Sequence, residues 1–225
     1  MAQTHAQRLT ALERARLYFV CDGRPSGADP TPMLRAAMRG GAEIVQLREK
    51  APRCAEELIS LAEPFRRVAD EHAGLFILND RPDLVAACDA DGAHVGQDDV
   101  PVAEARAAAG PDALIGLSTH SAAEVDAACA AQGAERPDQI SVGPVWETPT
   151  KEGRRATGLE LVEHAARAAT IPWFAIGGIN AENVEEVVAA GARRVVVVRA
   201  IREAGDPQAA ATRLRATLGS EAVVR

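Results

Sequence analysis

Aromatic side chains are scarce in this chain: four Phe, two Trp and one Tyr make up 3% of its 225 residues. A core built on stacked rings is excluded, so Ala, Val, Leu and Ile, within a hydrophobic share of 47%, have to fill the interior. Excess positive charge is missing as well. The formal net charge is −7, and no broad basic surface of the kind that holds nucleic acid is encoded. The four cysteines, Cys21, Cys54, Cys88 and Cys129, form no C-x-x-C pair, which argues against a zinc site or a disulfide framework and fits a reducing compartment. No apolar run approaches the roughly 20 residues that span a bilayer. The opening Met1-Ala2-Gln3-Thr4-His5 lacks the apolar core of a signal peptide. The reading is a cytoplasmic protein with no nucleic-acid and no membrane partner.

What the chain does have is a rhythm. Short aliphatic or β-branched runs near 17–20, 44–47, 75–78, 93–95, 114–117, 139–142, 173–176 and 195–198 read as strands. Between them, Ala- and Leu-rich segments near 31–39, 55–72, 81–88, 101–109, 121–132, 158–169, 181–190 and 207–218 carry charges at helical spacing. Gly-Ala pairs at 41–42, 92–93, 133–134 and 191–192 read as helix-ending glycines that feed the next strand. Strands and helices alternating eight times predict a parallel sheet, and their spacing favours a single-domain (β/α)₈ TIM barrel over an open doubly wound sheet. Residues 1–12 are expected to be a flexible extension, 13–220 the barrel and 221–225 a tail.

In such a barrel, functional groups lie just after the strands. The second strand runs into Gln46-Leu47-Arg48-Glu49-Lys50, where alternation sends Gln46, Arg48 and Lys50 to one face. An amide, a guanidinium and an ammonium at a strand end suit phosphate oxygens, although a solvated edge fits that segment alone equally well. Polar groups then recur at the same rim. They include Asn79-Asp80, Gly96-Gln97-Asp98-Asp99, Ser118-Thr119-His120, Thr148-Pro149-Thr150-Lys151 and Gly177-Gly178. Any one could be a turn or a helix cap. As a set, Asp80 and Asp99 could share one hard divalent cation such as Mg²⁺, which takes one or two carboxylates and completes its shell with water and phosphate oxygens. Arg48, Lys50, Asn79 and Lys151 could hold the same polyphosphate. The paired glycines allow a second, monophosphate group to approach the backbone after the seventh strand. Two phosphorylated substrates in one pocket point to a transferase.

These segments resemble the thiamine phosphate synthase family. The resemblance is carried by Q-L-R-E-K at 46–50, L-N-D at 78–80, G-A-H-V-G-Q-D-D at 92–99, G-L-S-T-H-S at 116–121, S-V-G-P-V-W-E-T-P-T-K at 141–151 and F-A-I-G-G-I at 174–179. It extends from about residue 16 to residue 203. Six ordered motifs are far more specific than one short pattern. The resemblance implies a single-domain (β/α)₈ barrel that joins 4-amino-2-methyl-5-hydroxymethylpyrimidine diphosphate to a thiazole phosphate with Mg²⁺, releasing diphosphate. It implies pyrimidine-diphosphate contacts at Gln46, Leu47, Arg48, Glu49, Lys50, Asn79, Ser118 and Lys151, and metal ligands at Asp80 and Asp99. Thiazole-phosphate contacts would fall on Thr148, Pro149, Thr150, Gly178, Val198 and Arg199. Loss of diphosphate would precede attack by the thiazole nitrogen, with Arg48, Lys50 and Lys151 neutralising the leaving group and Ser118 helping to orient the pyrimidine. The substrates would be small molecules, and a homo-oligomer is compatible with the reading.

The chain departs from the family pattern at Arg199, where many members have serine, and at Asp98, where glutamate is common. Alternatives stand beside this reading. One is a sister-barrel thiazole tautomerase using His120 as acid and base; another is a non-catalytic barrel that binds thiamine precursors. A third is a different phosphate-binding barrel, such as one from tryptophan biosynthesis, which would not explain the loop at Thr148–Lys151.

Overall fold

Eight parallel strands pair in sequence order and close on themselves through β1 and β8. The structure is a computed structural model that describes residues 3–49, 51–147 and 155–219. The strands are β1 (Leu17–Cys21), β2 (Ile44–Leu47), β3 (Leu75–Asn79), β4 (Gly92–Val95), β5 (Leu114–Thr119), β6 (Gln139–Val142), β7 (Trp173–Ile176) and β8 (Val195–Val197). Around them lie α2 (Thr31–Arg39), α3 (Ala55–Glu71), α4 (Val102–Ala109), α5 (Ala122–Ala130), α6 (Gly158–Ala168), α7 (Val184–Ala189), α8 (Arg199–Arg202) and α9 (Pro207–Thr217). The barrel expected from the alternation is the fold observed. No helix among the described residues is long and apolar enough to cross a membrane.

Parallel register partners point the same way, so alternation sorts every strand into two faces. Outward residues such as Leu17, Phe19, Val45, Leu47, Phe76 and Leu78 join the helices in one large buried shell. Inward residues such as Tyr18, Val20, Ile44, Leu75, Ile77, Leu114, Phe174 and Val196 form a separate interior cluster. There Tyr18 meets Phe174 edge to face, with ring centroids 5.6 Å apart. Toward the C-terminal strand ends the interior becomes polar, with Gln46, His94, Ser118, Gln139 and Ser141 all buried.

The start of the chain differs from the expectation of a flexible extension. Residues His5–Arg14 form a helix, α1, opened by a capping box between Thr4 and Gln7. Leu12 joins the interior cluster, as does Ala15 just beyond the helix, so together they close the bottom of the barrel. The sequence pattern hides this because only a narrow stripe of α1 is apolar.

Polar residues also secure the bottom. Glu43, Asp91 and Asp138, each just before a strand, accept backbone N–H bonds from Leu17, Phe76 and Ile115 respectively. Each carboxylate also pairs with an arginine of an outer helix: Arg215, Arg66 and Arg106. Helix α1 adds His5 to Asp138 and Arg8 to Asp91, both at 3.1 Å.

The helix expected near 81–88 is absent. A short 3₁₀ turn at Pro82–Leu84 stands there, braced by a bidentate Arg81–Asp83 pair. The span between β3 and β4 is too short for a full return helix, and Asp89 at φ 51° ends the turn. The Gly-Ala lead-ins also prove unlike one another. Gly41 and Gly191 take positive φ of 103° and 104° after helices, whereas Gly92 lies inside β4 and Gly133 opens a 3₁₀ turn.

Candidate active site

A cavity of about 580 Å³ opens at the C-terminal ends of the strands. Its floor is the polar layer of the barrel. Gln46 sits on the inward face of β2 and donates from Nε2 to Tyr18 Oη at 3.0 Å. Burial pushes the Tyr18 phenol well above its ordinary value, so it keeps its proton and can be both acceptor and donor. Next to Gln46 on the same face, Arg48 lines the cavity just past the end of β2.

On the neighbouring strands, Asn79 ends β3 and Asp80 follows it at φ 58°, a left-handed conformation that Asp tolerates better than most residues. The Asp80 backbone N–H donates to His94 O at 2.9 Å, which fixes this turn to β4. After β4, Asp99 accepts a 2.7 Å bond at Oδ2 from Gly96 N, so the carboxylate is held by its own loop. Asp80, Asp98 and Asp99 all line the cavity. Among the described residues no group of three or more His, Cys, Asp or Glu is arranged to hold a metal by itself.

Ser118, on the inward face of β5, is buried, and its Oγ lies 3.0 Å from His94 Nε2. Its carbonyl accepts from Gln97 Nε2 at 2.7 Å, tying the loop after β4 to β5. His120 lines the same cavity, its Nδ1 2.5 Å from Gly143 O.

The opposite wall is backbone. Gly177 and Gly178 follow β7 at φ 107° and 71°, and a Cβ on either would press into Pro144 or Trp146. Asn183 donates to Gly178 O at 3.0 Å and accepts from Asn180 N, which pins the turn. Val198 and Arg199, at the junction of β8 and α8, complete this wall.

The cavity therefore collects Gln46, Arg48, Asn79, Asp80, Asp99, Ser118, Gly178, Val198 and Arg199 from the expected site. Leu47 and Glu49 lie elsewhere. Leu47 points outward into the shell beneath the helices, as alternation requires. Glu49 accepts from Gly23 N at 2.6 Å and pairs with Arg53, bracing the loop after β1. Lys50, Thr148, Pro149, Thr150 and Lys151 fall outside the described residues. Their neighbours are anchored beside the mouth: Trp146 N donates to Gly177 O, and Thr157 N to Pro144 O. Tyr18, His94 and Ser141 were not singled out from sequence. Inward alternation from Gln46 and Ser118 across the register could have found them.

Comparison with known proteins gives the family. The thiamine monophosphate synthase family profile matches residues 17–201. A thiamine-phosphate synthase from Saccharopolyspora erythraea is 49% identical over 214 residues, covering 92% of this chain and 95% of the relative. One from Streptomyces avermitilis is 51% identical over 201 residues, covering 89% and 92%. Among solved structures, a thiamine phosphate pyrophosphorylase from Pyrococcus furiosus superposes with a TM-score of 0.80 at 31% identity, covering 92% of this chain and 96% of that one. Nearly the whole chain, from β1 through α8, is thus accounted for, and the protein belongs to the thiamine monophosphate synthase family.

Proposed function

We propose that this protein is a transferase that condenses 4-amino-2-methyl-5-hydroxymethylpyrimidine diphosphate with a thiazole phosphate, giving thiamine phosphate and diphosphate. The observation that carries this reading is the cavity itself. The guanidinium of Arg48 and the carboxylates of Asp80 and Asp99 line it together with Asn79 and Ser118. A diphosphate is the ligand class that uses a cation and a carboxylate-bound divalent metal at once.

The donor set fits Mg²⁺. Asp80 and Asp99 are hard oxygen ligands, and two carboxylates are what Mg²⁺ usually takes when phosphate oxygens and water supply the rest. When bound, the ion would neutralise charge on the diphosphate and make it a better leaving group. The residues of the chain would do the remaining work. Arg48 would hold diphosphate oxygens through directed N–H donors while the C–O bond lengthens, with Lys50 and Lys151 proposed to add point charges. Gln46 and Ser118 would orient the pyrimidine, so that its methylene cation faces the thiazole nitrogen rather than water. Gly178 and the Val198–Arg199 backbone, with Thr148, Pro149 and Thr150, would seat the thiazole phosphate. Leu47 and Glu49 would then contribute position rather than direct contact.

The tautomerase reading retains one supporting observation, His120 at the cavity wall. An isomerase of a monophosphate has little use for Asp80, Asp99 and Arg48 together, so the transferase reading is preferred. Incubation with both phosphorylated substrates and Mg²⁺, followed by chromatography, should give thiamine phosphate and diphosphate in equal amounts. Interconversion of thiazole tautomers without condensation would overturn the transferase reading.

A further inference from the structure

His94, Gly116 and Gln139 occupy one register row across β4, β5 and β6. Ser118 and Ser141 form the next inward row toward the mouth. The missing side chain of Gly116 is what lets its neighbours meet. A Cβ there would collide with both Gln139 Nε2 and His94 Nδ1. In the space it leaves, Gln139 Nε2 lies 3.1 Å from His94 Nδ1. The other ring nitrogen, His94 Nε2, lies 3.0 Å from Ser118 Oγ and 3.4 Å from Ser141 Oγ.

Gln139 is 4% exposed, and its Oε1 is buried with no hydrogen-bond partner among the described residues. The amide orientation follows from this imbalance. With Nε2 toward the ring, the site leaves one carbonyl oxygen and one N–H unsatisfied. The flipped amide would bury two unsatisfied N–H groups, which native interiors tolerate less readily than an unsatisfied carbonyl. An amide N–H aimed at Nδ1 requires Nδ1 to be the acceptor, so the ring proton sits on Nε2.

We propose that Gln139 is a positioning residue that holds His94 as the Nε2–H tautomer, so that Ser118 accepts a hydrogen bond at Oγ and turns its own hydroxyl proton away from His94. The proposal rests on the transferase reading, in which Ser118 orients the pyrimidine diphosphate. In the opposite tautomer Nε2 is an acceptor, and Ser118, the nearer hydroxyl at 3.0 Å against 3.4 Å for Ser141, would spend its proton there rather than on the substrate. Gln139 does not line the cavity, whereas His94 and Ser118 do, so its influence passes through the ring.

Nitrogen-15 NMR of histidine-labelled protein reads the tautomer directly, with the His94 signals assigned by their loss in a His94→Gln variant. The wild type should show protonated Nε2 and bare Nδ1. Gln139→Glu keeps the length but offers only acceptor oxygens, so it should move a proton to Nδ1. In the same variant kcat/KM for the pyrimidine diphosphate should fall about tenfold, the scale of one misdirected hydrogen bond, while KM for the thiazole phosphate stays put. A merely structural residue would disturb both substrates alike. Gln139→Met, which removes donor and acceptor without leaving a buried charge, serves if the Glu variant fails to fold. It should lose the single-tautomer signature and show the same one-sided kinetic loss. A bare Nε2 in the wild type overturns the proposal, and so does a tautomer change that leaves kcat/KM intact. If the wild type forms no thiamine phosphate, the transferase reading fails, and the tautomer spectra still decide what Gln139 does to His94.

Discussion

Gln46 Nε2 donates to Tyr18 Oη at 3.0 Å, joining the inward faces of β2 and β1 at the floor of the cavity. The only tyrosine of the chain thus orients an amide that lines the cavity. Tyr18→Phe should keep the edge-to-face packing on Phe174, since only the hydroxyl is removed. The Gln46 amide then loses its buried acceptor and swings. KM for the pyrimidine diphosphate should rise roughly tenfold, about the worth of one hydrogen bond, with kcat changed far less. Steady-state kinetics check this, and an unchanged KM would show that the hydroxyl does not orient Gln46.

Asp80 combines a left-handed backbone at φ 58° with a carboxylate at the cavity rim. Asp80→Asn separates the two roles, because Asn also accepts that backbone conformation but carries no charge. The variant should melt close to the wild type. Turnover with saturating Mg²⁺ should drop by about 10²- to 10³-fold, the range seen when one charge-stabilising group is removed. Calorimetric titration with Mg²⁺ in the presence of diphosphate should show weakened binding. Full activity in this variant would remove Asp80 from the metal site.

Much of this architecture was legible in the sequence because it follows from two periods. Strand alternation put Gln46 and Arg48 on the cavity face and Leu47 on the other. Leu47 and Glu49 do not line the cavity, and the family motif spans them without regard to face. Length and spacing alone did not reveal that 81–88 lacks room for a helix, since its alanines read as helical out of context. Helix α1 was missed for a related reason. Its value lies in tertiary partners such as Asp91 and Asp138, which are remote in sequence. The His94–Gln139 contact was invisible because Gly116, the residue that permits it, looks like ordinary strand punctuation.

The carboxylate of Asp91 receives Phe76 N and Arg66 Nη1, both at 2.8 Å, and faces Arg8 Nε at 3.1 Å. Its side chain is 5% exposed, so removing it leaves Arg8 with the Asp112 carbonyl, and Arg66 with Asp70 and the Asp89 carbonyl, in a poorly hydrated setting. Asp91→Ala should cost about 3 kcal/mol, the lower end for breaking a buried pair from one side. For a domain of this size that corresponds to a fall of roughly 6–12 °C in Tm. Asp126→Ala, at an exposed pair with His164, should change Tm by no more than about 1 °C. Parallel thermal melts test both, and equal shifts would show that the barrel bottom is not a privileged site.

Burial, with Asp22 beside it, pushes the Cys21 thiol up from 9.0 to about 12. Below pH 9 the folded and unfolded chains both keep this proton, and the thiol has no effect on the balance. Between pH 9 and about 12 the unfolded chain releases it while the native chain retains it, so stability falls as pH rises. One such group contributes a slope of about 1.4 kcal/mol per pH unit. The Tyr18 phenol, also raised by burial, adds a second loss above pH 10. Cys21→Ala removes the first contribution and leaves the second. Its urea-unfolding free energy should start lower at pH 8, because a buried side chain is truncated, yet decline less steeply from pH 9 to 10 than that of the wild type. Parallel curves over that interval would mean that Cys21 ionises in the native protein as readily as in the unfolded chain.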